Sequence, residues 1–190
     1  MKLSVLIPTI GKAKVTRILP YWKDADEIIV VDNPQKQVVD NYIDGLKKAE
    51  GDIIVFINDR CVIKKGWRKM LEEAFTDFSG VVSFAPIFVT NGAISRDYIE
   101  KYQKGCIYWY EYIHHYADLE LAQKAQALGM YKEVDGWIRC FPKKSKVIDR
   151  KKELRQVQWD VTTYWKRKKK DFPNEILSDM KKRERCMYVY

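Results

Sequence analysis

The chain has 190 residues, 46% of them hydrophobic and 32% charged. That length suits one compact domain with a terminal extension, and a core of this size needs no metal or disulfide staple. No run approaches the ~20 apolar residues of a membrane span, and "MKLSVLIPTIGKAK" is too short and too interrupted by Pro8 and Gly11 for a secretory signal, so a cytoplasmic protein is expected, soluble or peripheral at a membrane.

The net charge is +9. A basic balance suits a partner that carries phosphates: nucleic acid, an anionic membrane or a nucleotide-borne substrate. The charge is concentrated from Lys143 onward in "KKSK", "DRKK", "KRKKK" and "KKRER". Cys61, Cys106, Cys140 and Cys186 are scattered without a C-x-x-C spacing. No zinc site is expected, and the cysteines read as free thiols, with a disulfide left open for a hyperthermophilic source.

In chain order, Lys2 to Ile7 predicts a strand ending at Pro8-Thr9, and Ala13 to Trp22 a short helix stopped near Pro20. Glu27 to Val31 predicts a second buried strand ending at Asp32-Asn33-Pro34. Gln35 to Ala49 places Val38, Val39, Tyr42, Ile43 and Leu46 at helical spacing. Asp52 to Ile57 is an apolar, β-branched third strand, followed by Asn58, Asp59 and Arg60. Trp67 to Phe75 predicts a helix, and Val81 to Val89 a fourth strand that tolerates Pro86 only at an edge or bulge. Beyond it come a loop, strand and helix over Asn91 to Lys104, and then the aromatic stretch "CIYWYEYIHH". A helix over Ala117 to Leu128 ends at Gly129, and a basic helix covers Val147 to Lys170. Alternating strands and helices predict an α/β fold with a mostly parallel central sheet. Ligands of such sheets bind outside the carboxyl ends of the strands, here Pro8-Thr9, Asp32-Asn33 and Asn58-Asp59-Arg60.

The ordered set of motifs resembles the GT-A glycosyltransferases, particularly the family 2 group. "SVLIPTIGK" is similar to their opening strand, "DEIIVVDN" to the strand whose Asp meets the nucleobase, and "DIIVFINDRCVIKKGW" to the D-x-D segment. "VTNGAISRDYIEK" resembles the donor-sugar loop, and "ADLELAQKAQALGM" the segment that holds the catalytic base. The resemblance covers about Lys2 to Met130. It implies a GT-A-like (Rossmann-like) domain over 1–142, with a basic, mainly helical extension over 143–190. The implied activity is transfer of a sugar from a nucleotide-diphosphate sugar to an acceptor hydroxyl on a glycan, lipid or protein, with inversion. It also implies site residues. Asp118 is the catalytic base; Pro8, Thr9 and Asp32 border the base and ribose; Lys12 meets the diphosphate; Asn58, Asp59, Arg60, Gly92 and Ala93 complete the donor site.

Two departures matter. Asn58 and Arg60 occupy the outer positions of D-x-D, leaving Asp59 as the one candidate ligand for Mg2+ or Mn2+, and Ala117 replaces the usual Glu before the base. Arg60 can bind phosphate itself through bidentate, charge-assisted bonds, so metal-independent donor binding is the expectation.

Each assignment has a plainer rival. Asp32 suits a turn, Asp59 and Arg60 could pair with each other, and Asp118 suits a helix N-terminus. His114 and His115, being adjacent, point different ways and do not suit one metal ion. The basic tail reads as a solvated face, with Tyr164 and Trp165 before "KRKKK" offering the alternative of an interfacial anchor on an anionic membrane. Rival functions are a nucleotidyltransferase, which a single glycine in "PTIGKAKVTR" disfavours, and a non-catalytic basic protein binding nucleic acid or membrane.

Overall fold

The apolar alternation of the first strand sets the architecture. In β1 (Leu3–Thr9), Leu6 points to one side of the sheet, while Leu3, Val5 and Ile7 point to the other. In β3 (Ile53–Phe56) the same alternation sends Ile54 and Phe56 one way and Ile53 and Val55 the other. Both faces are therefore apolar and both must be covered. The chain is seen here in a computed structural model, which describes residues 1–9, 11, 15–86, 88–113, 116–141 and 150–171.

The main sheet has the order β2-β1-β3-β6-β5-β7. Besides β1 and β3 it contains β2 (Glu27–Asp32), β5 (Val81–Ser83), β6 (Gly92–Ser95) and β7 (Tyr131–Glu133). β2 and β3 both run parallel to β1; β6 is antiparallel to β3 and to β5, and β7 is parallel to β5. The fold class read from the sequence, an α/β fold with a mostly parallel central sheet, is thus observed, with β6 as the reversed strand.

One face is covered by α1 (Val38–Leu46), α3 (Arg96–Tyr102), α4 (Ala117–Ala127) and the inner side of α5 (Arg150–Asp171). The other carries a 3-10 turn at Leu19–Trp22 and α2 (Trp67–Ala74), whose Trp22 and Trp67 rings meet edge-on at 5.3 Å. A small second sheet pairs β4 (Cys61–Ile63) with β8 (Ile138–Cys140).

Several elements differ from expectation. The fourth strand stops at Ser83 rather than Val89. The Ser83 hydroxyl donates to the Ala85 and Phe88 carbonyls and closes a loop around Pro86, which has no N–H to offer a ladder. Pro20 sits in the first turn of the 3-10 element, as its second residue, instead of stopping a helix. The thiol expectation is corrected at two positions. Cys61 and Cys140 are register partners in β4 and β8, with Cα atoms 4.1 Å apart, and form a disulfide. They lie 79 residues apart in sequence, a proximity that linear spacing cannot show. Cys106 is a free thiol, and burial raises its pKa to about 11; Cys186 lies outside the described residues.

Helix α5 is docked, not loose. Tyr164 sits in the core, its hydroxyl 2.5 Å from Gln123 Oε1 of α4. Arg167 forms a buried ion pair with Glu120 of α4 at 2.6 Å and stacks over the Trp109 ring at 3.6 Å. Glu120 also accepts from the Tyr112 hydroxyl, and Asp160 accepts from the Ile113 N–H. The aromatic stretch is thereby clamped between α4 and α5. Tyr164 is only 2% exposed, which removes it from any interfacial anchor. The expected boundary at 142/143 falls on residues outside the description.

Candidate active site

Parallel pairing brings the strand ends together. Thr9 and Asp32 are register partners, and Leu6 pairs with Phe56, so Asn58 and Asp59 emerge level with the end of β1. The Thr9 hydroxyl donates to Asp59 Oδ2 at 2.8 Å and accepts from the Gly11 N–H. Asp59 is half-buried and Asp32 is exposed. The turn after β2 is closed by Asn33, whose Oδ1 accepts from the Gln35 N–H. The turn chemistry thus belongs to Asn33, and Asp32 stands at the strand end beside a cavity of about 540 Å3. Val30, Asn33, Asp44 and Lys47 are among its other lining residues.

The loop before β6 joins this edge to α4. Asn91 Oδ1 accepts from the Asn58 N–H at 2.8 Å, and the adjacent Thr90 hydroxyl donates to Asp118 Oδ2 at 2.6 Å. Asp118 is the second residue of α4, where the helix dipole favours a carboxylate. Its other oxygen accepts from the Leu119 N–H. Asp59 and Asp118 both bear electrostatically on the Tyr42 phenol. Burial first, then these two carboxylates, push Tyr42 far above the usual tyrosine range. The Tyr42 hydroxyl is buried without a hydrogen-bond partner. Below it, the Tyr42, Phe56 and Tyr108 rings pack edge-to-face at 5.2 to 6.3 Å. Such contacts each contribute about 0.5–1.5 kcal/mol beyond their burial and make a rigid floor.

Arg60 is half-buried and does not pair with Asp59; its Nη1 donates to the Phe141 carbonyl at 3.0 Å. The Arg17 guanidinium lies over the Phe141 ring at 5.1 Å. Two guanidinium groups therefore meet at one residue, beside the disulfide. Lys12 lies outside the described residues, as do His114 and His115.

The structure thus brings Pro8, Thr9, Asp32, Asn58, Asp59 and Arg60 to one edge and ties Asp118 to it. Gly92 and Ala93 open β6 and are buried; Gly92 pairs with Phe56 at the end of β3, directly after Asn91, and Ala93 lies one residue further in. A Cβ on Gly92 would lie 2.5 Å from the Val82 carbonyl oxygen, so the glycine serves the close approach of β5 and β6. Sequence reading missed Thr90, Asn91, Tyr42 and Arg17. Thr90 and Asn91 stand directly before Gly92 in the same motif, and that adjacency was the available signal. Nothing local marks Tyr42 or Arg17.

No protein-family model matches the chain, and no curated protein matches it significantly. Solved structures do. The mannosyltransferase PcManGT from Pyrobaculum calidifontis, in complex with GDP-Man and Mn2+, superposes with a TM-score of 0.62 at 14% identity, covering 87% of this chain and 64% of that one. Glucosyl-3-phosphoglycerate synthase from Mycobacterium tuberculosis, with Mg2+ and UDP, gives 0.57 at 14% identity over 86% and 79%. S. aureus TarS 1-349 with UDP-GlcNAc gives 0.57 at 15% identity over 77% of this chain and 60% of that one.

The fold is GT-A-like.

At these identities the GT-A-like match concerns architecture, and this chain spans less than two thirds of the mannosyltransferase and TarS chains. In the GT-A-like frame the open edge at β1, β2 and β3 is the carboxyl end of the parallel strands. Among the described residues, no group of three or more His, Cys, Asp and Glu side chains is placed to hold a metal ion, and no helix is long and apolar enough to cross a membrane.

Proposed function

We propose that this protein is a glycosyltransferase of family 2 type that moves a sugar from a nucleotide-diphosphate sugar to an acceptor hydroxyl, with inversion. The observation that carries the reading is the connected run from Thr9 through Asp59, Asn58, Asn91 and Thr90 to Asp118. It links the strand-end edge to a carboxylate on a helix N-terminus within a GT-A-like fold. Asp32 and the concavity beside it take the base and ribose. Asp59 orients the donor near the sugar. The acceptor O–H gives its proton to Asp118 as its oxygen attacks the anomeric carbon. The bond from that carbon to the diphosphate oxygen breaks, and the nucleoside diphosphate leaves from the opposite face. Such a base contributes about 100- to 10,000-fold.

The leaving diphosphate needs positive charge. The donor set here suits a divalent ion poorly. Asp59 is one carboxylate with an oxygen already bonded to Thr9, Asn58 is neutral, and Arg60 cannot ligate a cation. Arg60 spends one N–H on Phe141, and the rest of its donor fork suits phosphate oxygens. Arg17 at the same residue adds a second charge. The acceptor is a glycan, lipid or protein hydroxyl.

Thermal unfolding with uridine-, guanosine- and thymidine-diphosphate sugars, followed by product analysis, tests the reading. One donor at 100 times its dissociation constant should stabilise by about 2.7 kcal/mol and be consumed with an acceptor. Stabilisation by nucleoside triphosphates alone, with pyrophosphate release, would establish the nucleotidyltransferase instead.

A further inference from the structure

Helix α5 divides its residues sharply. Asp160, Thr163, Tyr164 and Arg167 turn inward and are buried. Outward stand Leu154, Trp159 and Trp165, which are 67%, 59% and 40% exposed, with Lys166, Lys169 and Lys170 exposed among them. From Leu154 to Lys170 the helix has one acidic residue, Asp160, and it is 0% exposed, bonded to the Ile113 N–H. Between Leu154 and Lys170 the outer face is thus cationic and aromatic without a carboxylate. The Trp159 indole N–H donates to the Glu111 carbonyl, which fixes that ring at the surface.

We infer that this outer face of α5 binds an anionic lipid bilayer, with the helix lying flat in the headgroup layer. The complementarity is chemical. Indole rings favour the headgroup boundary, where one side is apolar and the other wet. Lysine stems lie along the acyl boundary while their ammonium groups reach lipid phosphates. A nucleic acid would satisfy the lysines but leave Leu154 without a partner, so the bilayer is the better match. The inner face supplies the rigidity. The buried Arg167–Glu120 pair and Tyr164 hold α5 to α4, so the face is presented without an ordering cost. This inference stands apart from the proposed chemistry, because none of the outward residues belongs to the strand-end site.

The test uses the full chain with vesicles of phosphatidylcholine alone or with phosphatidylserine, at low and high salt. Flotation should show binding to the anionic vesicles only, weakened by salt. Vesicles of brominated lipid should quench tryptophan fluorescence, and the quenching should shrink in Trp165→Ser. Replacing Lys166, Lys169 and Lys170 together by Gln should lower partitioning about 100-fold, since each cation near an anionic surface is worth roughly fivefold. Unchanged thermal unfolding would confirm that these exposed substitutions leave the fold intact. Equal vesicle binding by the triple variant and wild type would overturn the inference. So would duplex DNA binding that the triple variant loses while lipid quenching is absent in both proteins.

Discussion

Removal of the Cys61–Cys140 disulfide tests how far the candidate site depends on a long-range tether. The bond joins positions 79 residues apart. Closing a loop of that length in the unfolded chain removes roughly 15 cal/mol/K of entropy, or about 4.5 kcal/mol at 25 °C. For a chain of this size each kcal/mol shifts the midpoint by about 2–4 °C, so Cys61→Ala with Cys140→Ala should lower Tm by roughly 9–18 °C. The site should respond too. Arg60 directly precedes Cys61, Phe141 directly follows Cys140, and Arg60 and Phe141 exchange hydrogen bonds: Phe141 N–H to Arg60 carbonyl at 2.9 Å, and Arg60 Nη1 to Phe141 carbonyl at 3.0 Å. Loosening β8 frees Arg60, so donor affinity should fall along with stability. The assay is thermal unfolding and nucleotide-sugar titration of wild type and double variant, each with and without a phosphine reductant. Cys140 is exposed and open to it. Reductant should lower the wild-type midpoint toward that of the variant and leave the variant unmoved. Equal midpoints for oxidised wild type and double variant would refute the reasoning.

Asp118→Asn should retain donor binding and fold while transfer falls at least ~100-fold, measured by product formation; equal turnover would remove Asp118 from the mechanism. Arg60→Ala should weaken donor binding while EDTA leaves the wild type active. Activity abolished by EDTA and untouched by Arg60→Ala would make Asp59 a metal ligand. Gly92→Ala should destabilise by about 1–3 kcal/mol in denaturant unfolding, because its Cβ would press on the Val82 carbonyl oxygen at 2.5 Å. Arg167→Met strands the Glu120 carboxylate, 4% exposed, and should cost about 3–5 kcal/mol; pairing it with Glu120→Leu should recover part of that loss in the same unfolding assay, the remainder being the Tyr112 hydroxyl left without its acceptor.

Much of the frame was legible in the sequence because it rests on local pattern. Strand alternation in Leu3–Thr9 and Ile53–Phe56, the apolar stripe of Val38–Leu46, and Gly129 at φ +67 after α4 all declare themselves within a few residues. The strand-end rule alone places Thr9, Asp32 and Asp59 at one edge. Where the reading failed, a long-range partner decided the outcome. The cysteines read as free thiols because their linear spacing shows no pairing; the β4–β8 register sets Cys61 against Cys140, 79 residues later. Tyr164 looked like an anchor because it precedes a run of lysines; Gln123, 41 residues earlier, draws it inside.

The sequence by itself determined the three parallel strands β1, β2 and β3 and the longer helices, which strand ends carry polar groups, and that the D-x-D position holds one carboxylate beside a guanidinium. Those facts follow from side-chain chemistry and short-range periodicity. The tertiary structure alone decided the links between them: Asn91 to Asn58, Thr90 to Asp118, Arg60 to Phe141, Cys61 to Cys140 and Arg167 to Glu120. Each joins groups at least 28 residues apart. Their geometry is set by how the two helical layers close on the two faces of the sheet, each around its own core, and no local stretch of chain encodes that closure.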